Sequence, residues 1–181
     1  MASFHRRHLP HLYAVSQPLF LTWRLAGSLP KTRPFTAETT GGKAFLQMDS
    51  MLDEARTGPV YLRRPEIAQI VLNALRYGQE KMGLYERHAW VVMPNHVHLL
   101  ITPFAEPSII TQSLKRFTAR AANRFLGLTG QPFWQDESYD RLVRNQDEFR
   151  RIIAYIQANP VRAGLATDAA SFLWSSAAEA D

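Results

Sequence analysis

His96 and His98 are separated by one residue, Val97, inside the run VVMPNHVHLLI. In an extended chain the two imidazoles leave one face of a sheet, while Val97, Leu99 and Ile101 take the other. So placed, they can converge on one divalent cation, and nothing else in this cysteine-free chain offers a comparable ligand pair. The same spacing also fits two surface histidines on a half-exposed strand. Further along, Tyr155 and Asn159 lie four residues apart, one helical turn, at the edge of the apolar stripe Phe149, Ile152, Ile153 and Ile156. A tyrosine there can pack its ring on a core and present its hydroxyl to a groove. As a phenolate it can attack a phosphodiester and hold the phosphoryl group covalently, and a metal nearby would polarise the phosphoryl oxygen. Asn159 could add an oxygen ligand. Equally, Tyr155 could be structural and Asn159 a helix terminator ahead of Pro160.

Arg116, Arg120 and Arg124 advance about 40° per step on a helix, a slowly curving ridge able to follow a phosphate backbone. Lys115 beside the ridge and Arg144 further on complete the candidate nucleic-acid contacts. A solvated charged face is the plain alternative. Trp90, Trp134 and Tyr139 could stack on unpaired bases or could simply be buried.

The elements that must position these residues follow from periodicity and punctuation. Residues 19–25 (LFLTWRL) read as a strand stopped by Gly27 and Pro30. No period holds over 31–62, an elaborated connection in which 43–55 could form a modest helix. Pro65 opens a helix with Ile67, Ile70, Val71, Ala74 and Leu75 on its buried face. The apolar runs 89–92 and 97–102 flank Pro94-Asn95 as a hairpin. Ser108 caps a helix over 109–126 with Ile110, Leu114, Phe117, Ala121 and Phe125 inward, ending at Gly127. Residues 133–143 supply an irregular strand. Asn145 with Glu148 resembles a capping box that opens a helix closed by Pro160. An Ala/Ser-rich tail, 166–181, surrounds Trp174. The pattern predicts one α+β domain, an antiparallel sheet with helices packed on one face.

Composition sets the outer bounds. A chain of 181 residues with 46% apolar and 20% charged residues has the balance of a folded domain and not of a disordered tail. Its formal charge is +5, and 17 of its 21 cations are arginine, which favours an anionic partner. The absence of cysteine excludes disulfide frameworks, cysteine-based zinc sites and cysteine nucleophiles, and fits a reducing compartment. No apolar run approaches a membrane span of about 18 residues and no signal peptide is apparent, so the expectation is a cytoplasmic protein without a membrane partner.

Together these pieces resemble a known group. His96-Val97-His98 is similar to the His-hydrophobic-His signature of single-tyrosine HUH transposases of insertion sequences. The run 155–165 (YIQANPVRAGL) is similar to the tyrosine-bearing helix of one branch, the REP-associated tyrosine transposases. Phe133-Trp134-Gln135, Asp140, Arg144 and the Trp174-Ser175-Ser176 end match as well, so the resemblance runs from about residue 19 to 176. It implies one HUH-type transposase domain over 1–181, ferredoxin-like or RRM-like, with the histidine pair on a central strand. It further implies cutting and rejoining of single-stranded DNA next to hairpins, with Tyr155 forming a 5′-phosphotyrosine link and leaving a free 3′-OH. Mg²⁺ or Mn²⁺ would be held by His96, His98 and a third polar residue. Insertion-sequence relatives carry Gln one turn after the tyrosine, whereas this chain, like the REP-associated branch, has Asn159. Tyr139 is the rival nucleophile, but only Tyr155 has a polar partner one helical turn away. The chain would act as a monomer or homodimer. A domesticated protein that binds DNA or RNA hairpins without cutting them is the second reading, and an H-x-H metallohydrolase barrel fails on size, since that architecture takes about 250 residues.

Overall fold

The strand that carries the histidines is covered on both faces, which explains why nearly all of its residues are buried. The computed structural model describes residues 3–6, 10–13, 16–30, 41–55 and 57–179. In chain order the elements are β1 (Ser3–Arg6), β2 (Pro10–Tyr13), β3 (Leu19–Arg24), α1 (Gly41–Glu54), α2 (Pro65–Glu80), β4 (Tyr85–Val92), β5 (His96–Pro103), α3 (Pro107–Leu126), β6 (Tyr139–Leu142) and α4 (Gln146–Arg162), with short 3₁₀ turns at Tyr61–Arg63 and Ser176–Glu179. β1 and β2 pair with each other, and the main sheet has the order β4-β5-β3-β6. All its neighbours are antiparallel, with Thr22 opposite His98 and Arg24 opposite His96. The succession β3-α2-β4-β5-α3-β6 is the ferredoxin-like βαββαβ unit, and β5 is interior.

Alternation sorts the sheet into two faces. Leu19, Leu21 and Trp23 of β3 and Val97, Leu99 and Ile101 of β5 pack with Ile67, Val71 and Leu75 of α2 and with Ile110 and Leu114 of α3. Phe20, Val91 and Leu100 point the other way, onto Phe45 of α1 and Ile156 of α4. The α+β class, the antiparallel sheet and the interior histidine strand are as the sequence indicates. The single helical layer describes only α2 and α3; α1 and α4 form a second layer over the histidine face. The apolar residues Phe20, Val91 and Leu100 on that face account for it, since a face bearing them cannot be left to solvent.

Local chemistry departs from expectation at several ends. α3 starts after Glu106 with Pro107 in its first turn, so Ser108 is not the cap. Its buried line follows Ile110, Leu114, Thr118 and Ala122, while Phe117 and Phe125 are 61% and 47% exposed. Thr118 earns its inward place by accepting from Trp134 Nε1 at 2.8 Å and donating to the Leu114 carbonyl at 2.7 Å. Asn145 does cap α4, accepting from the Glu148 N–H at 2.9 Å, but the Glu148 side chain turns to Arg141 and the Arg144 N–H. α4 continues past Pro160 to Arg162, because the residue four before it is Ile156 and only that one helical bond is lost. Gly164, at φ +68°, then breaks the helix.

Of the elaborated connection, Gly41–Glu54 forms α1, close to the helix the sequence predicts over 43–55; 31–40 and 56 lie outside the described residues, as do 180 and 181 of the tail. The rest of the C-terminal stretch lies along the outer edge of β4, where the Val92 N–H meets the Trp174 carbonyl at 2.8 Å and Trp90 N–H meets Ser176 Oγ at 3.2 Å. A covered edge cannot recruit a foreign strand. Among the described residues no helix is long and apolar enough to cross a membrane.

Candidate metal centre and nucleophile

The β4–β5 turn sets the position of the first imidazole. Asn95 donates from Nδ2 to the Leu52 carbonyl of α1 at 3.0 Å, so its Oδ1 faces His96 Nδ1, at 2.7 Å. His98 Nδ1 meets Thr22 Oγ1 of β3 at 2.7 Å. With each Nδ1 engaged, both Nε2 atoms point into the space between β5 and α1, where Asp49 Oδ1 is the polar atom that faces both among the described residues. The imidazole centroids are 4.7 Å apart.

The residue that meets them is Asp49, on α1. Its Oδ1 lies 3.0 Å from His98 Nε2 and 3.7 Å from His96 Nε2. Asp49, His96 and His98 are each 0% exposed. Their ligand atoms all lie within 4.8 Å of one another, a grouping able to hold a metal ion. Asp53, one turn on, places Oδ1 at 3.9 Å from His96 Nε2.

Tyr155 arrives from α4. Its hydroxyl donates to Asp49 Oδ2, and its ring lies 5.8 Å from the His98 ring and 6.3 Å from Phe20. Arg162, two turns on, stands 4.6 Å over the Tyr155 ring and reaches Asp53 Oδ2 at 2.9 Å and Asp49 Oδ2 at 3.5 Å. The half-buried Tyr155 and Asp53 thus adjoin the fully buried Asp49, His96 and His98 in one cluster.

Charge in this cluster is unevenly distributed. Burial would raise the Asp49 carboxyl, but the imidazoles of His98 and His96 and the Tyr155 hydroxyl hold it well below the usual carboxylate range. Asp53 goes the other way, pushed up to about 6 by burial and then by Asp49. Burial, followed by the neighbouring His98, pushes His96 down to about 3, so it is neutral at pH 7. Burial and then Asp49 raise the Tyr155 hydroxyl, which stays protonated at neutral pH.

The other sequence candidates are dispersed. Asn159 is 0% exposed; its Nδ2 donates to the Tyr155 carbonyl at 3.1 Å, and its Oδ1 has no hydrogen-bond partner among the described residues. Tyr139 on β6 stacks on Phe45 at 4.3 Å, and burial raises its hydroxyl. Arg116, Arg120 and Arg124 are exposed on α3, across the sheet from the histidines. Arg116, Arg120, Phe117 and Ile109 line a shallow groove of about 350 Å³. Lys115 donates to the carbonyls of Gln135 and Asp136 at 2.6 and 2.8 Å, holding the approach to β6. Arg144 is exposed beside the start of α4. Trp90 and Trp134 are buried.

Sequence reading missed Asp49 and Asp53 because they sit in the segment without a strong period. The available signal was narrow: Asp49 falls about 40° from Phe45 on a helical wheel, just beside the stripe Phe45, Met48 and Leu52, where a buried unpaired carboxylate is costly.

The chain is thus an α+β, ferredoxin-like βαββαβ fold with two histidines on an interior strand and a tyrosine brought to them by the helix after the last strand. Its sequence is similar to that of a REP-associated tyrosine transposase. It is 31% identical to the REP-associated tyrosine transposase of Escherichia coli (strain K12) over 80 residues, 44% of this chain and 47% of that protein. The match therefore spans about half the length of the curated relative. A solved structure of a REP-associated tyrosine transposase bound to a REP hairpin has the same fold, with a TM-score of 0.59 at 21% identity over 98% of this chain and 84% of the other. A putative transposase from Deinococcus radiodurans aligns with a TM-score of 0.46 at 19% identity over 81% of this chain and 93% of that one. No protein-family profile matches the chain.

Proposed function

We propose that this chain, read as one HUH-type domain over residues 1–181, is a metal-dependent enzyme that nicks single-stranded DNA beside hairpins and transfers the cut strand through a 5′-phosphotyrosine intermediate. The observation that carries the reading is the meeting of Tyr155 with Asp49 at the His96–His98 pair. The fully buried Nε2 atoms of His96 and His98 and Asp49 Oδ1 form a mixed nitrogen–oxygen donor set that fits a divalent ion such as Mn²⁺ or Mg²⁺. Such an ion would supply positive charge to a phosphoryl oxygen as the reaction proceeds.

In this reading the Tyr155 oxygen forms a bond to the scissile phosphorus while the bond to O3′ breaks, and O3′ leaves with its electron pair and gains a proton. The proton lost from the Tyr155 hydroxyl balances the one taken up by O3′, and Asp49 Oδ2, whose carboxyl is held well below the usual range, orients that hydroxyl without keeping its proton. Arg162, over the Tyr155 ring, restrains that ring. Because the product keeps a phosphodiester bond, attack by a 3′-OH reverses the step and rejoins strands without ATP.

The experiment is a denaturing gel of the protein with a labelled hairpin bearing single-stranded flanks, in Mn²⁺. Wild type should form a covalent adduct, and Tyr155→Phe should form none while binding the hairpin normally. A wild type that binds the hairpin but never yields adduct would make the protein a non-cleaving hairpin binder.

A further inference from the structure

We propose that Asp49, on the helix between β3 and the βαββαβ helices, is the third ligand of the metal centre and also docks the Tyr155 hydroxyl against it, one carboxylate oxygen to each. The proposal rests on the metal-dependent reading above. Its first support is an arrangement of acceptors. Asn95 commits Nδ2 to the Leu52 carbonyl and so presents Oδ1 to His96 Nδ1, which must carry the proton. A neutral His96 then directs its Nε2 lone pair at Asp49 Oδ1, 3.7 Å away. Two lone pairs facing each other in a buried space repel, and a shared cation relieves the conflict.

Spacing is the second support. Ligands about 2.1 Å from an ion and 90–120° apart stand roughly 3.0–3.6 Å from each other. Asp49 Oδ1 meets the two Nε2 atoms at 3.0 and 3.7 Å. Asn159 keeps a buried Oδ1 without a hydrogen-bond partner among the described residues and is therefore the rival oxygen ligand, which is why Asn159→Ala stands beside Asp49→Asn in the test. Third, Asp49 Oδ2 is turned away from the imidazoles and accepts from Tyr155, so a single side chain spans the ion position and the nucleophile. An N₂O donor set suits Mn²⁺ better than Mg²⁺, which makes Mn²⁺ the probe.

The test titrates the full chain with Mn²⁺, reading free ion by electron paramagnetic resonance, for wild type, Asp49→Asn, Asn159→Ala and Tyr155→Phe. Asp49→Asn should weaken Mn²⁺ more than fivefold, while Tyr155→Phe stays within fivefold of wild type. An Asp49→Asn protein within fivefold overturns the ligand assignment whatever Asn159→Ala does. A wild type that binds no Mn²⁺ brings down the metal-dependent reading itself, a failure distinct from the first. Docking is read by ¹⁹F NMR after 3-fluorotyrosine incorporation, with the Tyr155 resonance identified by its loss in Tyr155→Phe. It should move in Asp49→Asn, and an unmoved resonance overturns the docking role. Should Asp49→Asn not fold, wild type loaded with Fe²⁺ and treated with peroxide should be cut in α1 near Asp49 as well as beside His96 and His98; cuts confined to β5 and α4 overturn the proposal.

Discussion

The Tyr155 hydroxyl and the Asp49 carboxylate meet across 106 positions of sequence, tying α4 to α1 directly over the histidine pair. The contact makes α1 part of the site and not an ornament on a connection. It also closes the site, because Asp49, His96 and His98 have no exposed surface while α1 lies there. Phe45, on the same helix, extends the cover by packing against Phe20, Tyr139 and Tyr155.

Burial gives His98 a structural role that spacing did not suggest. Its ring lies 5.5 Å from Phe20, 6.2 Å from Phe45 and 5.8 Å from Tyr155. A substitution on a half-exposed strand would leave stability alone, whereas truncation here opens a cavity. His98→Ala should lose about 2–4 kcal/mol in urea denaturation without divalent ions. A loss under about 0.5 kcal/mol would contradict the packing.

The acid response follows from His96. Unfolded, it takes a proton near pH 6.5, but folded only near 3. Between those values the unfolded state binds more protons, so the stability His96 contributes is complete above about pH 6.5 and is lost as pH falls. Asp53, raised to about 6, has the opposite sign: between its unfolded value of 3.8 and about 6 the folded state holds the extra proton, and acidification stabilises. His96→Gln removes the first effect and keeps the second. Urea midpoints at pH 7 and pH 5 should therefore fall less in His96→Gln than in wild type; an equal fall would show that His96 is not held neutral.

Much of this arrangement is legible in the sequence because alternation and helical period report burial. Val97, Leu99 and Ile101 identify the core face of β5 and thereby place both histidines on the other. Ile156 and Tyr155 likewise mark which side of α4 meets the sheet. What periodicity does not reveal is a partner brought in from far along the chain. Asp49 lies on a helix whose apolar stripe is short, and its meaning emerges only when α1 lies across β5. The outward turn of Phe117 and Phe125 was hidden for a related reason, since Thr118 holds an inward position through the Trp134 indole instead of through hydrophobicity.

The position of the arginine ridge makes the route of the nucleic acid measurable. Arg116, Arg120 and Arg124 stand on α3, across the sheet from the histidines, and share their surface with the exposed ring of Phe117. Arg144 stands instead beside the start of α4, on the layer that carries Tyr155. A strand contacting both must pass round an edge of the sheet. Each phosphate contact to a single strand contributes about 0.7 to the slope of log affinity against log salt. If the three α3 arginines each hold a phosphate, their joint replacement by Ala should lower that slope by about 2 for a hairpin with a single-stranded flank. Arg144→Ala alone should lower it by about 0.7. Binding at four or five salt concentrations decides the matter. A triple variant with the wild-type slope, beside an Arg144→Ala variant with a reduced one, would put the phosphate track on the α4 side and leave the α3 ridge as a solvated helix face.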